Sequence, residues 1–448
     1  MKSINQIQAE HDTKNIISAF IHLIGLGRLS KRINFKRHST IPLTAVITWL
    51  FEAIFSRRSL YRAQPSRWFS SRTARNILND GRINWQKLLC LVAIKMILIL
   101  TPFIDQRRRL ALIVDDTLIE RAYSTKTELL AKIYDHDQHR YSTGYRNLTI
   151  GWSDGNTFLP VNCALMSTRK KTNLVGSKSS ITDQRTIAGQ RRSQAQRKMN
   201  EVVLELISQA LRLGVTAKYV LFDSWYSSPQ MFWHLKELGL ESVAMLKRSS
   251  KVYYRYRGRN YSIKALYQRL LNSKRPAGQS YLYSSIVEAN FQGQVFPVKI
   301  VFVAKKGVRN QYLVLASTNT NLTPQQIIQL YSRRWSIETY FKTAKQYLRL
   351  NKSQIQSYDG QVAQITVTAM TYILLAWQER LNKDDRTLGD LFYLMNDSLP
   401  EIKFIEALVY LLKTFQSQEA GFISQTINQF LAYLPHNVQN ILQKVVWN

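Results

Sequence analysis

Three acidic residues stand where phosphate chemistry would need them. Two lie at the ends of predicted strands. Leu110 to Val114 is a continuous apolar run that reads as a buried strand and ends in Asp115-Asp116-Thr117. Lys218 to Phe222 reads the same way and ends at Asp223. Strand ends at a switch point of an open α/β sheet are where sites form. Hard cations such as Mg²⁺ are held there by one or two carboxylates together with substrate phosphates. An Asp after a strand is also a common turn or capping residue, so neither acid decides the matter alone.

The third acid is Glu338. Leu330 to Leu350 reads as one helix. At about 100° per residue, Leu330, Ile337, Phe341, Ala344 and Leu348 fall in one stripe roughly 60° wide. Tyr331, Arg334, Glu338 and Lys345 form a second stripe beside it. A solvated charged face with ion pairs at helical spacing would explain the charges. It would not call for the tyrosine or for this order of groups.

The elements that must position these residues follow from the patterning. Residues 1–110 carry 19 Lys+Arg against 5 Asp+Glu and show helical spacing at Ile16-Ile17-Phe20-Ile21-Ile24 and Ala45-Val46-Trp49-Leu50-Ala53-Ile54. Thr40 is a candidate cap of the second helix, with Pro42 in its first turn. Leu88 to Leu100 is too short to span a bilayer, carries Lys95 and reads as a buried helix. Tyr145 to Trp152 and Thr157 to Met166 read as strands joined by Ser153-Asp154-Gly155-Asn156, a hairpin signal. Ser167 to Asn200, with nine Lys+Arg and one Asp, reads as a loop becoming a helix near Gln196. A helix from Pro229 through Leu238 and a strand from Ser242 to Leu246 follow.

Residues 247–309 carry 14 Lys+Arg and one Glu, with aromatics interleaved at Tyr253-Tyr254-Arg255-Tyr256-Arg257-Gly258-Arg259. Tyr281 to Ala289, Val295 to Ala304 and Tyr312 to Ser317 read as antiparallel strands. Helices dominate from Pro324 onward. The last stretch is amphipathic (Phe404, Ala407, Leu408, Tyr410, Leu411, Phe415) and a candidate for dimerisation. A mixed α/β pattern opening on a three-strand meander suggests a ribonuclease-H-like core.

Composition narrows the classes. Lys+Arg 62 against Asp+Glu 29 gives a formal net charge of +33. Such a charge on a folded chain points to a polyanionic partner, nucleic acid first. An apolar fraction of 45% rules out wholesale disorder. Two cysteines, Cys90 and Cys163, exclude a disulfide scaffold and a four-cysteine zinc site and suit a reducing cytoplasm. The N-terminus, Met-Lys-Ser-Ile-Asn-Gln, shows no signal peptide. The expected setting is the cytoplasm, with no membrane partner.

The spacing Tyr331-x2-Arg334-x3-Glu338-x6-Lys345 resembles the Y-x2-R-x3-E-x6-K signature of DDE transposases from bacterial insertion sequences, in the family named for insertion sequence 4. Leu112-Ile113-Val114-Asp115-Asp116-Thr117 resembles that family's first-acid strand, Tyr145 to Gly155 its second strand and turn, and Leu221-Phe222-Asp223-Ser224-Trp225-Tyr226 its second-acid segment. Here Ser224-Trp225 stands between the acid and Tyr226, where better-known members have a small residue. The likeness runs from about 110 to 350.

The resemblance implies a ribonuclease-H-like core with a β-rich insertion domain, a helical N-terminal domain and a helical C-terminal region. The expected division is a basic DNA-binding domain at 1–107 and the first part of the core at 108–246. The insertion domain at 247–320, the core's final helix at 321–352 and the helical end at 353–448 follow. It implies that Asp116, Asp223 and Glu338 hold two Mg²⁺ ions, with Mn²⁺ as a substitute and Asp115 as the alternative first acid. Sites of this kind hold their metals about 3.5–4 Å apart. Arg334, Lys345, Tyr331 and Trp335 are then DNA contacts. The implied reaction is cut-and-paste movement: nicking at terminal inverted repeats, a hairpin intermediate as in relatives, and strand transfer by the 3′-hydroxyl into target DNA, within a homodimeric complex. The alternatives are a metal-dependent nuclease without strand transfer and an inactive or domesticated DNA-binding relative.

Overall fold

The computed structural model describes residues 13–382, apart from 36–39, 61–62, 64–65, 67, 136–137, 180, 273–278 and 305–310. The amphipathic stretch around Phe404 to Phe415 lies outside the described residues.

One mixed sheet organises the chain. Its strands are β1 (Ala111–Glu120), β2 (Ala131–Asp135), β3 (Arg140–Ser153), β4 (Phe158–Met166), β5 (Tyr219–Phe222) and β6 (Glu241–Met245), followed by β7 (Tyr253–Tyr256), β8 (Arg259–Ser262), β9 (Tyr283–Phe291), β10 (Gln294–Ala304) and β11 (Tyr312–Ser317). The order is β2-β3-β1-β5-β6-β11-β10-β9-β7-β8, with β4 also on β3. β1, β3 and β4 form an antiparallel meander, and β1, β5 and β6 run parallel. The apolar runs explain the centre: Ala111 to Val114 and Tyr219 to Phe222 are buried throughout, as parallel strands covered on both faces must be. The Ser153-to-Asn156 hairpin forms as expected, with Gly155 at φ 97°. Asp154 Oδ1 accepts from the amides of Asn156 and Thr157.

The expected insertion strands do not form a sheet of their own. β11 pairs antiparallel with β6, so β7 to β11 continue the central sheet. β2 is an addition that its mixed sequence did not announce.

Helices cover the sheet. They are α1 (Thr13–Ile24), α2 (Leu26–Ser30), α3 (Leu43–Phe55), α4 (Ser71–Leu78), α5 (Trp85–Leu100), α6 (Ile187–Ala195), α7 (Met199–Leu213), α8 (Pro229–Glu237), α9 (Ile263–Leu271), α10 (Pro324–Ser332), α11 (Trp335–Gln346) and α12 (Tyr358–Asn382). Pro42, not Thr40, holds the N-cap position of α3. The apolar run expected from Leu88 is α5, which packs on β4 and α12. By length and composition Trp85–Phe103 could cross a membrane, but half of its apolar window is buried in the fold.

Two expectations need correction. The basic stretch 167–200 is not all loop. α6 lies within it, and Arg191 and Arg192 are buried there against Asp359 and Glu128. Leu330 to Leu350 is not one helix. Arg333 and Arg334 separate α10 from α11 and bond in i,i+3 fashion: their amides donate to Leu330 and Tyr331, and their carbonyls accept from Ser336 and Ile337. Arg333 Nη1 donates to the Arg109 carbonyl at 2.8 Å, which ties this tight turn to the lead-in of β1.

Candidate active site

Asp115, Arg334 and Glu338 meet at the edge where β1 and β5 stop pairing, and Asp223 follows β5 there. The parallel register ends at Val114 opposite Phe222. The next residue on each strand is an acid, Asp115 and Asp223. Neighbours in parallel register point to one face, and successive residues on a strand point to opposite faces. Asp115 and Asp116 are therefore separated by the pleat. This is the distinction that the pair of aspartates alone did not resolve.

Asp115 faces α11. Arg334 Nη1 donates to its Oδ2 at 2.9 Å, and Arg334 Nη2 donates to Glu338 Oε1 at 2.5 Å. One guanidinium thus bridges β1 and the first turn of α11. The tight turn keeps Arg334 at the N-cap of α11 in right-handed helical geometry, so Glu338 is one turn away. The Tyr331 ring lies under the same guanidinium, 5.8 Å from centroid to carbon. Lys345 is on the same stripe, about 10 Å further along at 1.5 Å per residue. Trp335 points outward with 67% of its surface exposed.

Asp116 faces the other way. Arg146 Nη1 donates to its Oδ2 at 2.6 Å, and the Tyr226 hydroxyl donates to its Oδ1 at 2.5 Å. Its backbone N–H donates to Asp115 Oδ1 at 2.8 Å. The sequence placed Asp116 first and Asp115 second. In the structure it is Asp115 that joins Arg334 and Glu338. Asp223 follows β5, and its Oδ1 accepts from the Trp225 amide at 2.9 Å.

The electrostatics describe crowded negative charge. Burial pushes the Asp115 carboxyl up to about 7; Arg334 opposes the shift, while Asp116 and Asp223 add to it. Burial also raises Asp223, against the Trp225 amide and Arg334, with Asp116 adding to the rise. Burial works against the charge on Arg334, but Tyr331, Asp115 and Glu338 outweigh it and raise its pKa. Burial lifts the Tyr331 phenol to about 12.

Two buried polar atoms here lack partners among the described residues: Arg334 Nε and Asn147 Oδ1. Asn147 pairs with Thr117, one step along the face that carries Asp115. As the side chains stand, no three of the described His, Cys, Asp and Glu residues are gathered closely enough to hold an ion. Arg334 supplies the positive charge between Asp115 and Glu338 instead.

Sequence reasoning missed Arg146 and left Tyr226 without a role. A signal existed for both, since Arg146 lies in the segment that resembles the family's second strand and Tyr226 in the one that resembles its second-acid segment. Their contact with Asp116 required the fold.

The family model for DDE superfamily endonucleases matches residues 55–282, just over half of the chain. The match takes in β1 and Asp223 and stops before α10 and α11. No curated protein matches the chain. The chain therefore belongs to the family of DDE superfamily endonucleases.

Proposed function

We propose that this chain is a cut-and-paste DNA transposase of the insertion sequence 4 type, with a ribonuclease-H-like core. The observation that carries the reading is that one partly buried arginine, Arg334, bonds both Asp115 on β1 and Glu338 on α11, while Asp223 follows β5 next to the end of its ladder with β1. The antiparallel meander β1-β3-β4 with parallel β5 and β6 beside it supports such a core.

In this reading the first acid is Asp115. Asp115, Asp223 and Glu338 would hold two divalent cations, Mg²⁺ or Mn²⁺ in its place. The donor set suits them, because hard cations take carboxylate oxygens and burial disfavours the charge on Asp115 and Asp223, which a bound cation would offset. The unpaired Oδ1 of Asn147 adds a further oxygen nearby. When bound, such ions polarise the phosphodiester and make water a nucleophile at neutral pH.

The chain's own groups do the rest. Arg334 presents a planar fork that matches phosphate oxygens, and its buried Nε still has a proton to donate. Tyr331 stays protonated and donates a hydroxyl. Lys345 places a point charge on a neighbouring phosphate. Trp335 offers an exposed ring to a base. Water attacks phosphorus at the transposon end, the 3′-oxygen leaves, and the freed 3′-hydroxyl attacks the opposite strand to give a hairpin. Reopening the hairpin restores the 3′-hydroxyl for attack on target DNA. Two chains pair the two ends.

The test is excision from the gene's own flanking DNA, carried on a plasmid with Mg²⁺ present. Glu338→Gln should keep binding the ends but lose cleavage, because a carboxylate is lost while the basic surfaces remain. Wild type should give discrete double-strand breaks at inverted repeats. Scattered nicks that depend on Glu338 would reduce the protein to a nuclease. Breaks at the wild-type rate in Glu338→Gln would remove Glu338 from the site.

A further inference from the structure

We infer that Tyr226, Asp116 and Arg146 form a brace behind the acids that sets the spacing of Asp115 and Asp223, and that Asp116 is a positioning residue rather than a metal ligand. The inference rests on the reading of Asp115, Asp223 and Glu338 given above.

The need for a brace follows from the ladder. Main-chain pairing between β1 and β5 ends at Val114 and Phe222, one residue short of both acids. Beyond that point the parallel ladder no longer fixes how far apart the two chains run. The Tyr226 hydroxyl crosses this gap to Asp116 Oδ1 at 2.5 Å, and Met199 Sδ lies 3.1 Å from that hydroxyl. Tyr226 is 1% exposed, so water does not compete for the bond. Burial, with Asp116 adding, keeps the phenol protonated and so a donor.

Each end of the brace lies close to an acid in the chain, Asp116 one residue from Asp115 and Tyr226 three residues from Asp223. The Asp116 amide holds Asp115 Oδ1 at 2.8 Å, and the Trp225 amide, next to Tyr226, holds Asp223 Oδ1 at 2.9 Å. The far side is pinned as well. Arg146 spans from Asp116 Oδ2 to the Tyr134 carbonyl, 2.6 Å at both contacts. Both oxygens of Asp116 are thus committed, one to a buried phenol and one to a guanidinium. Asp115 has both oxygens bonded as well, but its Oδ2 lies on the arginine that also holds Glu338, so it stands on the side of the third acid. Groups that orient metal ligands from behind typically change metal affinity or activity 10–100-fold when altered.

The test compares Tyr226→Phe, Asp116→Asn and Asp115→Asn in the full chain. Mn²⁺ binding without DNA is read by electron paramagnetic resonance, and cleavage is read across a Mn²⁺ titration. Tyr226→Phe and Asp116→Asn should bind Mn²⁺ about 10–100-fold more weakly and recover cleavage as Mn²⁺ is raised. Asp115→Asn should lose both without recovery. Loss in Asp116→Asn as complete as in Asp115→Asn would make Asp116 a ligand and overturn the brace. Wild-type Mn²⁺ binding in Tyr226→Phe would overturn it too, even if Asp116→Asn does not fold, while the assignment of the acids survives. Wild-type binding and cleavage in Asp115→Asn would instead bring down the reading of the acids themselves.

Discussion

Arg334 donates to Asp115 through one terminal nitrogen and to Glu338 through the other, while its Nε waits unpaired. A planar fork can make this bridge, and a lysine ammonium cannot. Two consequences follow. Without the guanidinium, two half-buried carboxylates face each other uncompensated. In the proposed reaction the phosphate would also lose a donor. Removing one preorganised donor to a developing charge costs on the order of 10²–10³ in turnover. We therefore expect Arg334→Ala to cut cleavage by about that factor in single-turnover assays. Arg334→Lys should recover little of it. End binding, carried by many cations elsewhere, should stay within about threefold of wild type, since one phosphate contact among many is lost. Cleavage at the wild-type rate in Arg334→Ala would leave the arginine as a strut between strand and helix only.

The elements that deliver these residues were legible in unequal measure. Leu112 to Val114 and Tyr219 to Phe222 were readable because a strand covered on both faces needs an unbroken apolar run. The acids at their ends were readable for the same reason. The face of each aspartate was not. The sequence reading ended the first strand at the aspartates, whereas β1 continues to Glu120 and keeps its pleat through both. The break between α10 and α11 was hidden because Tyr331 to Leu348 keeps helical spacing across a turn whose hydrogen bonds merely tighten. α6 was hidden more deeply, since its buried groups include two arginines. Arg191 pairs with Asp359 at the start of α12, and Arg192 reaches Glu128 at 2.6 Å and Asp359 at 2.7 Å. No periodicity rule expects charge inward, because it is stable there only when a distant carboxylate arrives. Removing that carboxylate strands the buried Arg191 and leaves Arg192 to Glu128 alone. Asp359→Ala should lower unfolding free energy by about 3–5 kcal/mol in denaturant titrations. A loss below about 1 kcal/mol, the range of exposed ion pairs, would mean that solvent reaches the arginines.

Over the whole molecule the excess of positive charge, +33, is concentrated in the first 110 residues and in 247–309. The second region continues the sheet that carries the acids, so cations on β7 and β8 and the acids belong to one framework. They are not equivalent cations. Arg255 is held by Glu288 on β9, whereas Arg257 and Arg259 stand exposed at the turn between β7 and β8, with Arg257 over the Tyr256 ring at 5.3 Å. A cation already paired releases fewer counterions from DNA when it binds, because its charge is partly spent at home. Affinity for nucleic acid falls with salt as a power law whose exponent is about 0.9 per neutralised phosphate on duplex DNA. End binding by this protein should therefore weaken steeply, by about 10³–10⁵ between 50 and 200 mM salt if six to ten phosphates are met. Arg257→Ala and Arg259→Ala should each reduce the slope by about one, uniformly across DNA sequences. Arg255→Ala should reduce it by less, and Glu338→Gln should leave it unchanged. Equal slopes for wild type and the Arg257→Ala/Arg259→Ala double variant would move the DNA off this turn and onto the N-terminal helices.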